Sequence, residues 1–446
     1  MVINIPKQVN RAIEILCSGG HSAYVVGGAV RNILMGIPAN DWDITTSALP
    51  QETLSLFKDY RTVETGVKHG TVTVIIDGMS LEITTFRVEH GYSDNRHPDR
   101  VDFTSRIEDD LSRRDFTVNA IAWSPQTGFA DPFGGRKDIE KKIIRCVGKP
   151  DKRFGEDALR ILRALRFSSV LGFEIDFETS ESIRRNYGLL KNISVERIFT
   201  ELSKLICGRD AGRILRKYKD VIFYVLPELK PTDNCTQNHE RHIYDVWNHT
   251  VAAVENVPPE PTLRFAMLFH DSGKPQCKTT DENGTDHFYS HGKTGKKIAH
   301  DALTRLKTSN KFKEHVCNLV EFHDFQPEKI SKKTYKKYIA RLGIDIVKEL
   351  FLIRKADVSA QNPKYLNENL RENETGMKIL KEIEEENGCF KISDLDINGN
   401  DLAEAGFSPS PEMGKVLNVL LEEVMDEKIQ NTREMLVNRA LQLKKH

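Results

Sequence analysis

The chain has 446 residues, 65 basic against 65 acidic side chains, 39% hydrophobic residues and 29% charged ones. That length allows about three domains with cores of their own. The even charge balance and the supply of Leu, Ile, Val and Phe exclude a disordered chain and one that is basic throughout, though local patches can still meet nucleic acid. No apolar run reaches the ~20 residues that span a bilayer. Seven scattered cysteines without a C-x-x-C pair argue against a disulfide framework and a zinc ribbon. A soluble protein of a reducing compartment, the cytoplasm, is expected, without a membrane partner.

The N-terminal stretch MVINIPKQVNRAIEIL reads as an amphipathic helix with no signal-peptide pattern. Ser22–Val26 reads as a strand running into Gly27-Gly28, with a helix from Ala29. Asp41-Trp42-Asp43-Ile44 reads as a second strand. Thr71–Ile76 and Leu81–Phe86, joined through Asp77-Gly78, carry a strong hairpin signal. Glu89–Arg100 is polar, with Gly and Pro, and reads as a mobile loop. From about Phe154 the strand signal almost vanishes and apolar residues recur at helical spacing to the end of the chain. Pro258–Pro261 marks a break between helices, and Asn367–Glu386 an acidic helix with a solvated face. An α/β head followed by an all-α arm is predicted.

In the head, Asp41 and Asp43 are two apart in an expected strand, so both carboxylates point to one face. Close carboxylates repel until a cation neutralises them, and Mg²⁺ takes one or two carboxylates plus phosphate oxygens. Glu82, between Leu81 and Ile83, offers a third. Gly28 lets the backbone approach a phosphate at a helix start, and Arg31 adds a charge-assisted contact one turn in. A surface D-x-D beside an ordinary strand-to-helix turn would show the same short elements.

The order of motifs is more specific than any one of them. Gly27-Gly28-Ala29-Val30-Arg31, Asp41-Trp42-Asp43-Ile44, Gly66-Val67-Lys68-His69-Gly70-Thr71, Thr85-Phe86-Arg87 and Arg113-Arg114-Asp115-Phe116-Thr117-Val118-Asn119-Ala120 follow one another. Glu156-Asp157-Ala158-Leu159-Arg160-Ile161-Leu162-Arg163 and Val195-Glu196-Arg197-Ile198 come next. This series resembles the bacterial-type (class II) tRNA nucleotidyltransferases, the CCA-adding enzymes and their poly(A) polymerase relatives, over about the first 215 residues. The resemblance implies an α+β architecture: a polymerase-β-like nucleotidyltransferase head, an all-α neck, an HD domain and a helical tail. It implies that Asp41 and Asp43 carry Mg²⁺ and catalysis, that Gly28, Arg31 and Arg114 hold the triphosphate, and that Asp115 contacts the ribose. Where the family has Asp after the motif arginine, this chain has Asn32.

Asp157, Arg160 and Arg163 are spaced three apart, which predicts one helix face. A surface ion pair would have the same spacing. The sharper reading is a side-chain template: a carboxylate accepts from the exocyclic amine of cytosine or adenine, and arginine donates to the neighbouring ring acceptors. In the related enzymes this E-D-x-x-R segment reads the incoming CTP or ATP, and Arg166 belongs to the same series. In relatives that add only C the loop matching Thr85–Phe103 is shortened; here, with Arg87, Tyr92, Asp94 and Arg96, it is complete, so the resemblance implies an enzyme that adds the terminal A, without separating CCA addition from A-addition or poly(A) tailing.

Further on stand His249, His270-Asp271 and Asp357, a spacing that resembles the HD-domain phosphohydrolases and implies a divalent-metal site. His291 and His323 match positions of extra ligands in some HD proteins, which leaves a two-metal site open. Imidazole ligands favour a transition metal such as Ni²⁺, Co²⁺ or Mn²⁺ over Mg²⁺. Lys332, Lys333, Lys336, Lys337 and Arg341, interleaved with Tyr335 and Tyr338, form either a solvated face or an RNA-backbone contact. The segment from Ile397 to Arg433 resembles the tRNA-binding tail of some of these enzymes, with Ser410 where the family has glycine.

The expected domains are a head at 1–150, a neck at 151–235, an HD domain at 236–365 and a tRNA-binding tail at 366–446. The expected reaction is addition of C, C and A to tRNA 3′ ends from CTP and ATP, with an appended metal-dependent phosphohydrolase. The alternatives are a poly(A) polymerase or A-adding enzyme, and an HD phosphohydrolase whose head is an RNA clamp. No protein partner is read from the residues.

Overall fold

The structure, a computed structural model, describes residues 4–39, 41–92, 98–325, 331–385, 389–426 and 428–444. The chain forms two compact units, Met1–Pro227 and Glu228–His446.

The first unit is built on a seven-stranded sheet that runs, in order across it, Arg61–Val63, Thr71–Ile76, Met79–Thr85, Asp43–Thr46, Ala23–Val26, Ala122–Ser124 and Gly128–Ala130. Helix α1 (Lys7–Ser18) precedes β1 (Ala23–Val26), whose four residues are all buried, as suits a strand covered on both faces. Helix α2 (Gly28–Leu34) leads to β2 (Asp43–Thr46), and α3 (Pro50–Leu56) to β3 (Arg61–Val63). Strands β4 (Thr71–Ile76) and β5 (Met79–Thr85) form the predicted hairpin. Asp77 (φ 47°) and Gly78 (φ 80°) make its turn, and two positive φ values are what a two-residue hairpin loop requires. Val72, Val74 and Ile76 are buried and alternate with half-buried neighbours.

The stretch expected as a mobile loop is partly strand. Arg87–His90 (β6) pairs antiparallel with Arg100–Phe103 (β7). Val88 and Val101 give both arms strand propensity despite the polar surroundings. Asp94 and Arg96 lie outside the described residues. Helix α4 (Ile107–Ser112), strands β8 (Ala122–Ser124) and β9 (Gly128–Ala130) and helix α5 (Gly135–Lys141) complete the head.

A short parallel pair joins β10 (Ile143–Ile144) to β11 (Glu174–Ile175), and β11 falls beyond Phe154, where the strand signal fades. Around it lie α6 (Pro150–Glu156), α7 (Leu159–Leu171), α8 (Phe177–Asn186), α9 (Val195–Ile206), α10 (Ala211–Lys217) and α11 (Lys219–Val225).

Among the described residues, the second unit is helical apart from a two-stranded ribbon, β12 (Thr279–Thr280) with β13 (Asp286–His287). Helices α12 (Val246–Asn256) and α13 (Pro261–Phe269) flank the expected proline break. Helices α14 (Lys274–Cys277), α15 (His291–Arg305), α16 (Asn310–Phe322), α17 (Lys332–Leu342), α18 (Ile344–Ser359) and α19 (Leu366–Glu385) follow. Helix α19 is acidic as expected, yet it buries Gly376, Leu380 and Ile383 on one side, so it is amphipathic and not merely solvated. Of the basic aromatic residues expected on α17, Tyr335 and Lys336 are buried, Tyr338 is half-buried, and Lys333 and Lys337 are exposed. Helices α20 (Gly399–Glu404), α21 (Pro411–Met425) and α22 (Arg433–Leu443) enclose a small core of Leu402, Leu420 and Leu436. Ser410 caps α21, its hydroxyl accepting from the Glu412 N–H at 3.3 Å.

Candidate functional sites

Strands β2 and β5 run parallel with Asp43 directly beside Glu82. Leu81 and Ile83 are buried and Glu82 is exposed, so the register sets both carboxylates on one face of neighbouring strands, whose backbones run about 4.8 Å apart. Asp41 is not in the strand as expected: β2 begins at Asp43, and Asp41 is exposed two residues before it. Its charge still reaches the site. Asp43 is pushed up to about 6 by burial, then by Asp41, with Glu82 adding and Arg114 opposing. A half-buried carboxylate raised by burial and by two neighbouring carboxylates suits a divalent cation.

Gly27 has φ 70°, and a Cβ there would lie 3.2 Å from Nη1 of Arg114. The glycine therefore makes room for this guanidinium, which also reaches the buried Asp110 at 3.4 Å. Arg31 donates to Asn119 Oδ1 at 2.6 Å and to Asn32 Oδ1 at 2.9 Å and 3.2 Å. It is held down to about 10 by burial, then by Arg166, with Asp115 opposing and Arg163 adding. Burial alone would raise Asp115, but Arg163, at 2.7 Å, and a bond from Asn119 bring it down to about 2.

The template residues do not share one helix face. Asp157 sits between α6 and α7, where its Oδ1 accepts from the Leu159 N–H at 3.0 Å and caps α7. Its other oxygen takes Arg197 at 2.9 Å. Arg160 bonds Glu156 at 2.7 Å and the carbonyl of Arg113 at 3.0 Å. Arg163 turns instead to Asp115, and Arg166 to Glu201 at 2.8 Å. Sequence reasoning assigned no role to Arg197, Glu201 or Asn119. Arg197 lay in a quoted motif, while Glu201 gives no local signal because its partners are 35 and more residues away.

In the second unit, six side chains converge. His249 Nε2 lies 2.9 Å from Asp357 Oδ1 and 3.3 Å from His270 Nε2. His291 Nε2 lies 3.0 Å from His323 Nε2. Asp271 stands between the pairs. Its Oδ2 is 3.3 Å from His270 and 3.5 Å from His249, and its Oδ1 is 3.5 Å from His291 and 3.6 Å from His323. His270, His291 and His323 each direct Nδ1 to a backbone carbonyl at 2.7 Å, those of Met267, Phe288 and Val320. The hydrogen bond puts the proton on Nδ1 and leaves bare Nε2 lone pairs facing one another. Bare nitrogens 3 Å apart beside a buried carboxylate repel unless cations lie between them. Asp271 Oδ2 has Lys274 Nζ at 2.7 Å but no aligned donor. Burial, then His323, holds His291 down to about 4. Asp271, His291, His323 and Asp357 line a cavity of about 680 Å³. The expected His249, His270, Asp271 and Asp357 are thus brought together, and His291 and His323 join them.

Three family descriptions match the chain: "Poly A polymerase head domain" over residues 23–145, "Probable RNA and SrmB- binding site of polymerase A" over 172–232, and "tRNA nucleotidyltransferase domain 2 putative" over 287–440. The CCA-adding enzyme of Ligilactobacillus salivarius is 34% identical over 452 residues, 99% of this chain and 98% of its own. That of Streptococcus thermophilus is 32% identical over 97% of this chain and 96% of its own. The crystal structure of the Bacillus stearothermophilus CCA-adding enzyme in complex with CTP matches with a TM-score of 0.72 at 28% identity, covering 98% and 97% of the two chains.

Proposed function

We propose a division of labour among residues on the premise that the chain belongs to the CCA-adding enzymes, a family of tRNA nucleotidyltransferases. The protein adds C, C and A to the 3′ end of tRNA, using CTP and ATP. The end-to-end likeness to CCA-adding enzymes favours this over poly(A) synthesis and over a head that merely clamps RNA. The observation that carries the catalytic assignment is the Asp41, Asp43 and Glu82 cluster, in which like charges and burial raise Asp43.

Asp41 and Asp43, with Glu82 beside them, would hold divalent metal, which we take to be Mg²⁺. Bound there, it would supply Lewis-acid stabilisation of the attacking 3′-hydroxyl and of departing pyrophosphate. Gly28, Arg31 and Arg114 receive the triphosphate, with Arg163 and Arg166 beside them, and Asp115 faces the ribose. Asp157 and Arg160 read the base. Asp157 arrives already paired with Arg197, which orients the carboxylate that an amine of C or A must meet. We assign the head to 1–150, the neck to 151–235, the histidine-bearing domain to 236–365 and a tRNA-binding tail to 366–446. A cytoplasmic setting accords with free cysteines and with the lack, among the described residues, of a helix able to cross a membrane.

The second unit supports a second reading: His249, His270, Asp271 and Asp357, extended by His291 and His323, would hold divalent metal in an HD-type site. Mixed imidazole and carboxylate donors favour Ni²⁺, Co²⁺ or Mn²⁺. Such ions would act as Lewis acids on a phosphate ester such as a cyclic phosphate at an RNA end.

One assay tests the first reading. Purified protein, tRNA lacking CCA, and each NTP singly and together should give stepwise C, C and A addition at nucleotide resolution. Extended A tails from ATP alone would overturn it.

A further inference from the structure

Phe167 follows Arg166 in α7 and is 8% exposed, with Phe116 edge-on at 5.8 Å. Three guanidinium groups gather over its ring, at 4.1 Å for Arg166, 5.2 Å for Arg31 and 5.3 Å for Arg163. The carboxylates paired with them are Asp115, on Arg163, and Glu201, whose charge lies 2.8 Å from Arg166 and 3.7 Å from Arg163, while Asp157 acts on Arg163 from further off and is itself paired with Arg197. The hydrogen bonds of Arg31 go to Asn32 and Asn119, which are neutral. Three cations therefore share two carboxylates and one aromatic face. Burial and the other arginines already weaken the hold of Arg31 on its proton.

We propose that Phe167 is a positioning residue for the incoming triphosphate, holding Arg31, Arg163 and Arg166 together by its π-face before the anion arrives. An aromatic face attracts a guanidinium electrostatically but accepts few of its N–H donors, so those donors remain for phosphate oxygens. A carboxylate at 167 would neutralise the cluster and occupy the same donors. An aliphatic side chain would leave three like charges to move apart. The inference rests on the reading of these arginines as triphosphate ligands and adds the reason that they stay clustered without it.

The decisive variant keeps the shape of the ring and reverses its face charge: pentafluorophenylalanine at position 167. Phe167→Leu and Phe167→Tyr accompany it, with thermal unfolding as the check on fold. The pentafluoro and Leu proteins should bind CTP, ATP and inorganic triphosphate about tenfold more weakly, by equal factors. Their kcat at saturation and their preference for C and A over U and G should stay within about twofold, and Phe167→Tyr should behave as the parent. Purely structural damage would instead lower the unfolding temperature and spare the distinction between the two rings. Unchanged triphosphate affinity in a folded pentafluoro protein overturns the proposal, as does a loss confined to tRNA affinity. Arg31→Ala separates the two levels. If it leaves triphosphate binding intact, the arginine reading fails; if it weakens binding while the pentafluoro ring does not, only the role of Phe167 fails.

Discussion

Asp43 and Asp157 illustrate how little local sequence says about the work of one carboxylate. Asp43 sits among like charges and is pushed up to about 6, whereas Asp157 is capped into a helix start and paired with Arg197. Asp43→Ala should abolish nucleotide transfer while tRNA affinity and unfolding temperature change little. Substantial incorporation by that variant under Mg²⁺ would remove Asp43 from the metal site. Asp157→Ala deletes the acceptor matched to the amines of C and A. A bond to an ionised partner is worth about 1.5–3 kcal/mol, so discrimination against UTP and GTP should fall roughly ten- to a hundredfold. A variant that is slow but equally selective contradicts the template role. Asp115 carries a pH signature. Its folded value of about 2 lies below the ordinary 3.8, so its contribution is complete above pH 4 and fades as pH falls towards 2. That contribution is roughly 2 kcal/mol, most of it through Arg163. Urea titrations of the parent and Arg163→Met should differ at pH 5 and converge near pH 2.

Elements matter here through their ends. Helix α2 begins at a glycine pair whose first member has φ 70°, and α7 begins at the Asp157 cap. Gly27→Ala should be harmful twice, through a positive φ that alanine resists and through a Cβ 3.2 Å from Arg114. A loss of about 1–2 kcal/mol in stability is expected, with a higher KM for both NTPs because Arg114 is displaced. An alanine variant with the parent's melting temperature and KM would show that the turn adapts. At this scale the periodicity of sequence was a good guide to helices and to the β4–β5 hairpin. It was a poor guide to Asp157, because a spacing of three implies a shared face only if all three residues are inside one helix.

On the scale of the molecule, the two proposed metal sites occupy separate compact units, one built of carboxylates and the other of imidazoles with carboxylates. Asp43→Ala should therefore leave hydrolysis of a 2′,3′-cyclic phosphate intact, and His270→Ala should remove it without touching CCA addition. Metal loading has its own readout. A ligand that binds only the folded state at a hundred times its Kd adds about 2.7 kcal/mol. Added Ni²⁺, Co²⁺ or Mn²⁺ should raise the unfolding temperature of the parent but not of Asp271→Ala. Elemental analysis that finds no metal, with no shift in melting, would make the histidine set structural.

Sequence alone determined the type and order of most elements, because hydrophobic period and turn residues are local properties. It also singled out the Asp41/Asp43 pair and the histidine and aspartate set, whose residue types in that order are uncommon. What only the tertiary structure decided are the pairings across long separations: Asp43 beside Glu82, Asp115 with Arg163, Asp157 with Arg197, and Asp271 between two histidine pairs. The same holds for Phe167, an ordinary core residue by its helical spacing until three arginines from two helices meet over its ring. The physical reason is common to all of them. Charge and π interactions act through space over a few ångströms, and the chain separation between partners leaves no periodic trace in the sequence.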